Sequence, residues 1–308
     1  MDLTICYLEA LIMLFKDKVD TFVPATIPAF ANKLFLDVAY TSQPQLRLDI
    51  YLPAGKGPFP IILDIYGGGL LRGKKSSFKL NSSLRFLANG FAVISVDYCL
   101  NTQFKSQFPN QVSDIRSALE YLSINSAKYQ LDMSHVTLIG ESSGAQLAVL
   151  AAATFSAQYT LGRPSKATIN HKFPKVNRVI AMYGPYQVDQ FQTQFEALGI
   201  KPQFSETGTA QSFEGIMLHD HAPRCVPNLV TQSNPATYFT KNMPPLMLIA
   251  GKKDPVVPYL QSVQLAATYR TIVGNHIKTQ WLPYGVHGPK DYNNDAIHIQ
   301  KLTFINQN

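Results

Sequence analysis

The stretch Val136-Thr137-Leu138-Ile139-Gly140-Glu141-Ser142-Ser143-Gly144-Ala145-Gln146-Leu147-Ala148-Val149-Leu150-Ala151-Ala152-Ala153 decides the fold. Its first four residues are apolar and largely β-branched, so they read as a buried strand. Residues 145–153 are rich in Ala and Leu and lack Gly and Pro, so they read as a helix. Between them sits a G-x-S-x-G run, Gly140 to Gly144, at a strand-to-helix turn. The two glycines let the chain turn sharply and pack backbone on backbone. Ser142 is left at the apex with its hydroxyl exposed, in front of a helix start whose free N–H groups and positive dipole end favour anions. In this setting the run reads as a nucleophile elbow.

Working outward, the chain alternates strands and helices. Leu34–Tyr40 and Leu46–Tyr51 read as an antiparallel pair at a sheet edge, separated by Thr41-Ser42-Gln43-Pro44-Gln45. Ile61–Tyr66 and Phe91–Val96 read as buried strands, with a short helix from Leu84 to Gly90 between them. Val112, Ile115, Leu119 and Leu122 mark one face of a helix running to about Tyr129. After the elbow come strands Arg178–Tyr183, Leu246–Gly251 and Thr279–Leu282, and helices from about Pro258 to Ile272 and Asn293 to Phe304. Apolar strands alternating with helices predict an α/β fold: a mostly parallel sheet of about eight strands, covered on both faces. The stretch 187–240 breaks the rhythm. Rich in Gln, Phe, Pro and Gly, it reads as a cap insertion over the active site.

With 308 residues, 46% of them hydrophobic, the chain is expected to form one domain over 1–308. Three widely spaced cysteines, Cys6, Cys99 and Cys225, give neither a disulfide framework nor a zinc site, which suits the cytoplasm. The net charge of +7 comes from scattered residues, with Arg72-Gly73-Lys74-Lys75 the densest run. A solvated surface explains them, and a pull on anionic substrates is the other use. No basic stretch is interleaved with aromatics, so no nucleic-acid partner is expected. Leu3, Leu8, Leu11, Ile12 and Phe15 fall at helical spacing, giving an N-terminal amphipathic helix over about 1–20. It is open to covering a site mouth, joining a homodimer or lying on a membrane surface. No stretch reaches transmembrane length, and the pattern is not that of a signal peptide.

A serine hydroxyl needs a base to take its proton, and the base needs an acid to fix its tautomer. In a parallel sheet both belong beyond the carboxyl ends of later strands. Asp254 follows the Leu246–Gly251 strand, and His287 follows the last strand in Tyr284-Gly285-Val286-His287-Gly288. Asp254 fits equally well as a helix N-cap before Val256. His135, His171, His219, His221, His276 and His298 do not fall just after strand ends. His219-Asp220-His221 has the look of a metal ligand set, but no further ligands are spaced to match, so no metal is expected. Gly67-Gly68-Gly69, directly after a buried strand, offers backbone N–H groups to a developing oxyanion, and the N–H of Ser143 would complete the hole.

With these residues in place, the chain resembles the α/β-hydrolase esterases of the hormone-sensitive-lipase and feruloyl/acetyl-esterase-like group. The likeness runs from about Leu46 to Gly288. It includes Asp49-Ile50-Tyr51-Leu52-Pro53, the triple glycine, Ser95-Val96-Asp97-Tyr98, Phe108-Pro109, Gly140–Gly144, Asn234-Pro235-Ala236-Thr237-Tyr238, Lys253–Pro258 and Gly285–Gly288. The resemblance implies a serine carboxylesterase without cofactor, acting on a small-molecule ester. By position it implies Ser142 as nucleophile, Asp254 as orienting acid and His287 as base, with Gly68, Gly69 and Ser143 donating to the oxyanion. One departure stands out: Tyr66 occupies the place of the His that usually precedes the glycines. Two other readings fit the same triad, an amidase of the arylformamidase type or exopeptidase, and a non-catalytic binding protein on a hydrolase fold. The cap phenylalanines Phe191, Phe195, Phe204 and Phe213 suggest an apolar acyl or aryl group, unless they serve as core.

Overall fold

The structure is a computed structural model that describes residues 14–19, 21–102, 105 and 107–307. Its centre is one eight-stranded sheet. The strands are β1 (Lys33–Ala39), β2 (Arg47–Leu52), β3 (Phe59–Ile65), β4 (Ala92–Val96), β5 (Leu131–Glu141), β6 (Arg178–Met182), β7 (Leu246–Gly251) and β8 (Ile277–Leu282). Their spatial order is β1-β2-β4-β3-β5-β6-β7-β8. β1 and β2 are antiparallel, β2 is antiparallel to β4, and every later pairing is parallel. The expected antiparallel edge and parallel body are therefore both present.

The strands β3, β4, β6 and β7 are buried along nearly their whole length, as is β5 from Val136 on, because helices cover both faces. That is why they read as continuous apolar runs rather than alternating ones. The helix Ser143–Ser156 is buried from Ser143 to Phe155, so its Ala-rich text reflects close packing on the sheet. At the opposite extreme, β8 is only half-buried along its length, as an edge strand should be.

Several boundaries differ from the sequence expectation. The elbow strand begins at Leu131, five residues before the apolar run; the polar text Asp132-Met133-Ser134-His135 concealed it, and the pairing with β3 shifts register there. The last strand starts at Ile277. In place of a helix over 84–90 there is one α-turn, Asn81–Leu84, and a 3-10 turn, Arg85–Asn89, closed by Gly90 at φ 82. The helix expected to reach Tyr129 breaks after Ile124, where the Asn125 side chain donates to the Tyr121 carbonyl at 2.8 Å and competes with the helical ladder. The N-terminal helix over about 1–20 lies mostly outside the described residues. Of that span, residues 15–17 form a 3-10 turn, Phe15–Asp17.

Between β6 and β7 the chain forms short helices, Phe191–Leu198, Phe213–Met217 and Pro227–Ser233. Glutamine side chains stitch them down. Gln261, buried on the helix Leu260–Ile272, accepts the N–H groups of Tyr186 and Gln187 at 2.8 and 2.7 Å. Its amide donates to the Gln187 carbonyl and to Gln194 Oε1.

Candidate active site

The elbow is built by steric exclusion. A Cβ on Gly144 would collide with the carbonyl oxygens of Ile65 and Tyr66, and one on Gly140 with the carbonyl of Gly144. Only glycine lets β3, β5 and the following helix come this close. Ser142 is left at φ 51, ψ −127, a conformation that non-glycine residues seldom adopt. Its N–H donates to the Met182 carbonyl at 2.9 Å, which ties the apex to β6.

Ser142 Oγ lies 3.0 Å from His287 Nε2. The other ring nitrogen, Nδ1, lies 2.8 Å from Asp254 Oδ2. The three expected residues, 33 and 145 positions apart along the chain, thus meet on opposite sides of one imidazole. Asp254 is not the N-cap of a helix, which begins only at Leu260, but its two oxygens do separate jobs. Oδ1 caps the following turn, accepting from the N–H groups of Val256 and Val257 at 2.8 and 2.9 Å, while Oδ2 faces His287. The carboxylate is 1% exposed and fully paired, so the imidazole it orients has one preferred tautomer.

A second cluster shows what the geometry excludes. Asp132, Ser134 and His135 also sit together, by a cavity of about 550 Å³ that Asp132 and His135 help to line with Arg178. There Ser134 Oγ and Asp132 Oδ2 both lie against Nδ1, at 3.0 and 2.7 Å. Serine and acid share one nitrogen, so this ring cannot relay orientation from the acid to the serine. The His219-Asp220-His221 run holds no metal-like set either: among the described residues no group of three His, Cys, Asp or Glu is placed to bind an ion.

The glycine loop lies alongside the elbow. The N–H of Gly68 donates to Ser143 Oγ at 3.1 Å, so it is already engaged, contrary to its expected place among the oxyanion donors. The N–H groups of Gly69 and Ser143 have no hydrogen-bond partner among the described residues. Lys79 Nζ donates to the Gly67 carbonyl at 2.9 Å and lies 3.4 Å from Glu141 Oε1. Glu141 Oε2 in turn accepts the Tyr183 hydroxyl at 2.6 Å. The Tyr183 ring stands edge-on to His287, centroids 4.8 Å apart. Burial first, then the Glu141 charge, push the Tyr183 phenol well above its ordinary pKa, so it remains a neutral donor.

Sequence reasoning missed Tyr183, although it follows β6 at the same end of the sheet as the other site residues. The rule that found Asp254 and His287 would have found it too.

The cavity beside Ser142 measures about 240 Å³, and its lining includes Phe15, Phe78, Gly68, Gly69, Tyr183 and His287. No residue of 187–240 is among those that line it. The insert reaches the cavity through Phe15, whose ring packs on Phe204 and Phe213 at 5.1 and 5.3 Å. Its N–H donates to Glu206 Oε1 at 2.5 Å, and the Arg72 guanidinium both stacks on the ring and donates to the Phe15 carbonyl. Phe191 and Phe195 are wholly buried, so they serve as core rather than as pocket wall.

A family model described as BD-FAE matches residues 48–269. The chain belongs to the BD-FAE family. Among its relatives is the esterase LipC of Mycobacterium tuberculosis (strain ATCC 25618 / H37Rv), 24% identical over 82% of this chain and 59% of the relative. Another is the probable isoprenylcysteine alpha-carbonyl methylesterase ICMEL1 of Arabidopsis thaliana, 25% identical over 76% of this chain and 47% of the relative. The chain therefore spans about half the length of the curated relatives it matches. Among solved structures, a truncated carbohydrate esterase from gut microbiota superposes with a TM-score of 0.76 at 25% identity, over 92% of this chain and 98% of that one. The fold of this BD-FAE member is that of the α/β-hydrolases. Among the described residues no helix is long and apolar enough to cross a membrane.

Proposed function

We propose that this protein is a serine carboxylesterase that hydrolyses short to medium acyl or aryl esters through an acyl-enzyme. The observation that carries the proposal is one imidazole between a strained serine hydroxyl and a buried carboxylate, 3.0 and 2.8 Å away on opposite nitrogens. Ser142 Oγ attacks the acyl carbon while its proton passes to His287 Nε2. The tetrahedral oxyanion meets backbone N–H groups of the glycine loop and of Ser143. The imidazolium, stabilised by Asp254, gives its proton to the leaving alcohol as the C–O bond breaks. Water then attacks the acyl-enzyme, losing its proton to Nε2, and the returning proton restores Ser142.

The small cavity supports short substrates, since drug-sized ligands usually occupy roughly 300–1,000 Å³. The insert 187–240 serves in this reading as a cap that acts by holding Phe15 in the pocket wall. The chain works as one domain, and a cytoplasmic location is part of the proposal, supported by free thiols at Cys99 and Cys225.

The test compares wild type and Ser142→Ala on p-nitrophenyl acetate, with a fluorophosphonate probe read by mass. The variant is expected to lose roughly 10⁴-fold or more in kcat and all labelling at position 142. Equal hydrolysis by the two proteins overturns the proposal. Turnover of a matched anilide faster than the ester would move the assignment to an amidase.

A further inference from the structure

A loop of three glycines has no side chains with which to hold its own shape, yet an oxyanion hole acts only if its donors are fixed before the charge appears. The structure supplies the missing fixture from the elbow. Ser143 is 1% exposed, and its Oγ accepts the N–H of Gly68 at 3.1 Å and of Leu70 at 3.2 Å. These are the two peptide N–H groups on either side of Gly69. Beside it the Tyr98 hydroxyl donates to the Tyr66 carbonyl at 2.8 Å. The Tyr66 and Tyr98 rings stack, centroids 4.4 Å apart and planes 19° from parallel. Two hydroxyls thus hold the loop at its entry, Tyr66, and around its apex, Gly69.

We propose that the Ser143 side chain is the positioning residue of the oxyanion hole. It takes the N–H groups of Gly68 and Leu70 as structural donors and leaves those of Gly69 and of Ser143 itself to meet the oxyanion. One residue then contributes a donor from its backbone and fixes the second donor through its side chain, so the spacing of the two is set within a single element. Tyr98 and Tyr66 complete this fixture on the side where the resemblance leads one to expect histidine. The inference rests on the esterase reading and deepens it.

The test uses the full chain and two probes, p-nitrophenyl acetate and a trifluoromethyl ketone. The ketone forms a tetrahedral adduct with Ser142 and so carries the oxyanion. Ser143→Ala is expected to lower kcat roughly 10- to 100-fold with KM changed less than about twofold. Ketone affinity is expected to fall by the same factor as kcat/KM, which a loss of fold stability alone would not produce. Ser143→Thr, which keeps the hydroxyl, is expected to recover most of the ketone affinity. Tyr98→Phe, which leaves the Ser143 acceptor in place, is expected to lose roughly 3- to 10-fold in both measures. Wild-type kcat and ketone affinity in Ser143→Ala overturn the proposal while the esterase reading stands. Should Ser143→Ala fail to fold, Ser143→Cys, whose sulfur is only a weak acceptor, replaces it, and wild-type ketone affinity in that variant overturns the proposal. A wild type that neither turns over the ester nor binds the ketone overturns the esterase reading, and this inference with it.

Discussion

The elbow and the insert between β6 and β7 are neighbours held together in opposite ways. The elbow is fixed by what cannot fit: carbonyl oxygens of Ile65 and Tyr66 where a Gly144 side chain would go, and backbone tied directly to β6. The insert is fixed by what reaches across: the four bonds of Gln261, Gln146 Nε2 to the Ser233 carbonyl at 3.1 Å, and Gln192 Nε2 to the Thr207 carbonyl at 3.0 Å. Steric exclusion leaves one conformation and no slack, which suits atoms that must stay within tenths of an ångström of a reacting centre. Long polar side chains hold mass in place but allow adjustment, which suits a segment that shapes a pocket wall at second hand. Changes near the elbow should therefore act on the chemistry, and changes in the insert on stability or substrate size.

The sharpest break of that contrast would come from Asp254→Asn. Asparagine keeps an oxygen for the N–H groups of Val256 and Val257 but presents an amide donor to His287, so the ring is held in the wrong tautomer. We expect kcat to fall roughly 10³–10⁴-fold with the melting temperature nearly unchanged. A melting temperature that falls in step with activity would show that the cap, not the triad, dominates this residue. Next in size, Gln261→Leu leaves the N–H groups of Tyr186 and Gln187 without their acceptor inside the protein. Chemical denaturation should report a loss of about 3 kcal/mol, while the rate of Ser142 labelling per folded molecule stays at the wild-type value. A slowed labelling rate would mean that the insert and the elbow are not independent.

Phe15→Ala should remove the wall that the insert supports. We expect kcat/KM for longer acyl or aryl esters to rise roughly 4- to 15-fold relative to acetyl, because about one or two methylenes gain room at a typical hydrophobic increment. An unchanged length profile would place the size limit elsewhere.

The smallest effect is a pH dependence in the insert. Burial, offset in part by the Gly208 N–H that Glu214 accepts, pushes the Glu214 carboxyl up to about 7 from 4.5. The folded chain keeps that proton between these values while the unfolded chain releases it. This group's contribution therefore makes stability fall as pH rises through that window. Glu214→Gln should flatten that part of the stability curve, and an identical curve in the variant would show that Glu214 is ionised in the folded state.

The sequence by itself determined most of the sheet, the elbow and the three residues around the imidazole. Those features are written in short-range chemistry. Buried strands must be apolar, close approach demands glycine at 140 and 144, and residues just past strand ends must lie on one rim of a parallel sheet. Local text also misled where polar residues hid a strand, as at Asp132 to His135, or where a side chain ended a helix, as at Asn125. Only the tertiary structure decided that Asp254 serves the turn and the histidine with different oxygens. It alone decided that Gly68 donates to Ser143 rather than standing free, and that Phe15 rather than the insert's own phenylalanines lines the cavity. Each of these is a choice of partner among groups distant in the chain. Hydrophobic pattern and spacing set which face a residue occupies, but only the packed fold sets which atom it meets.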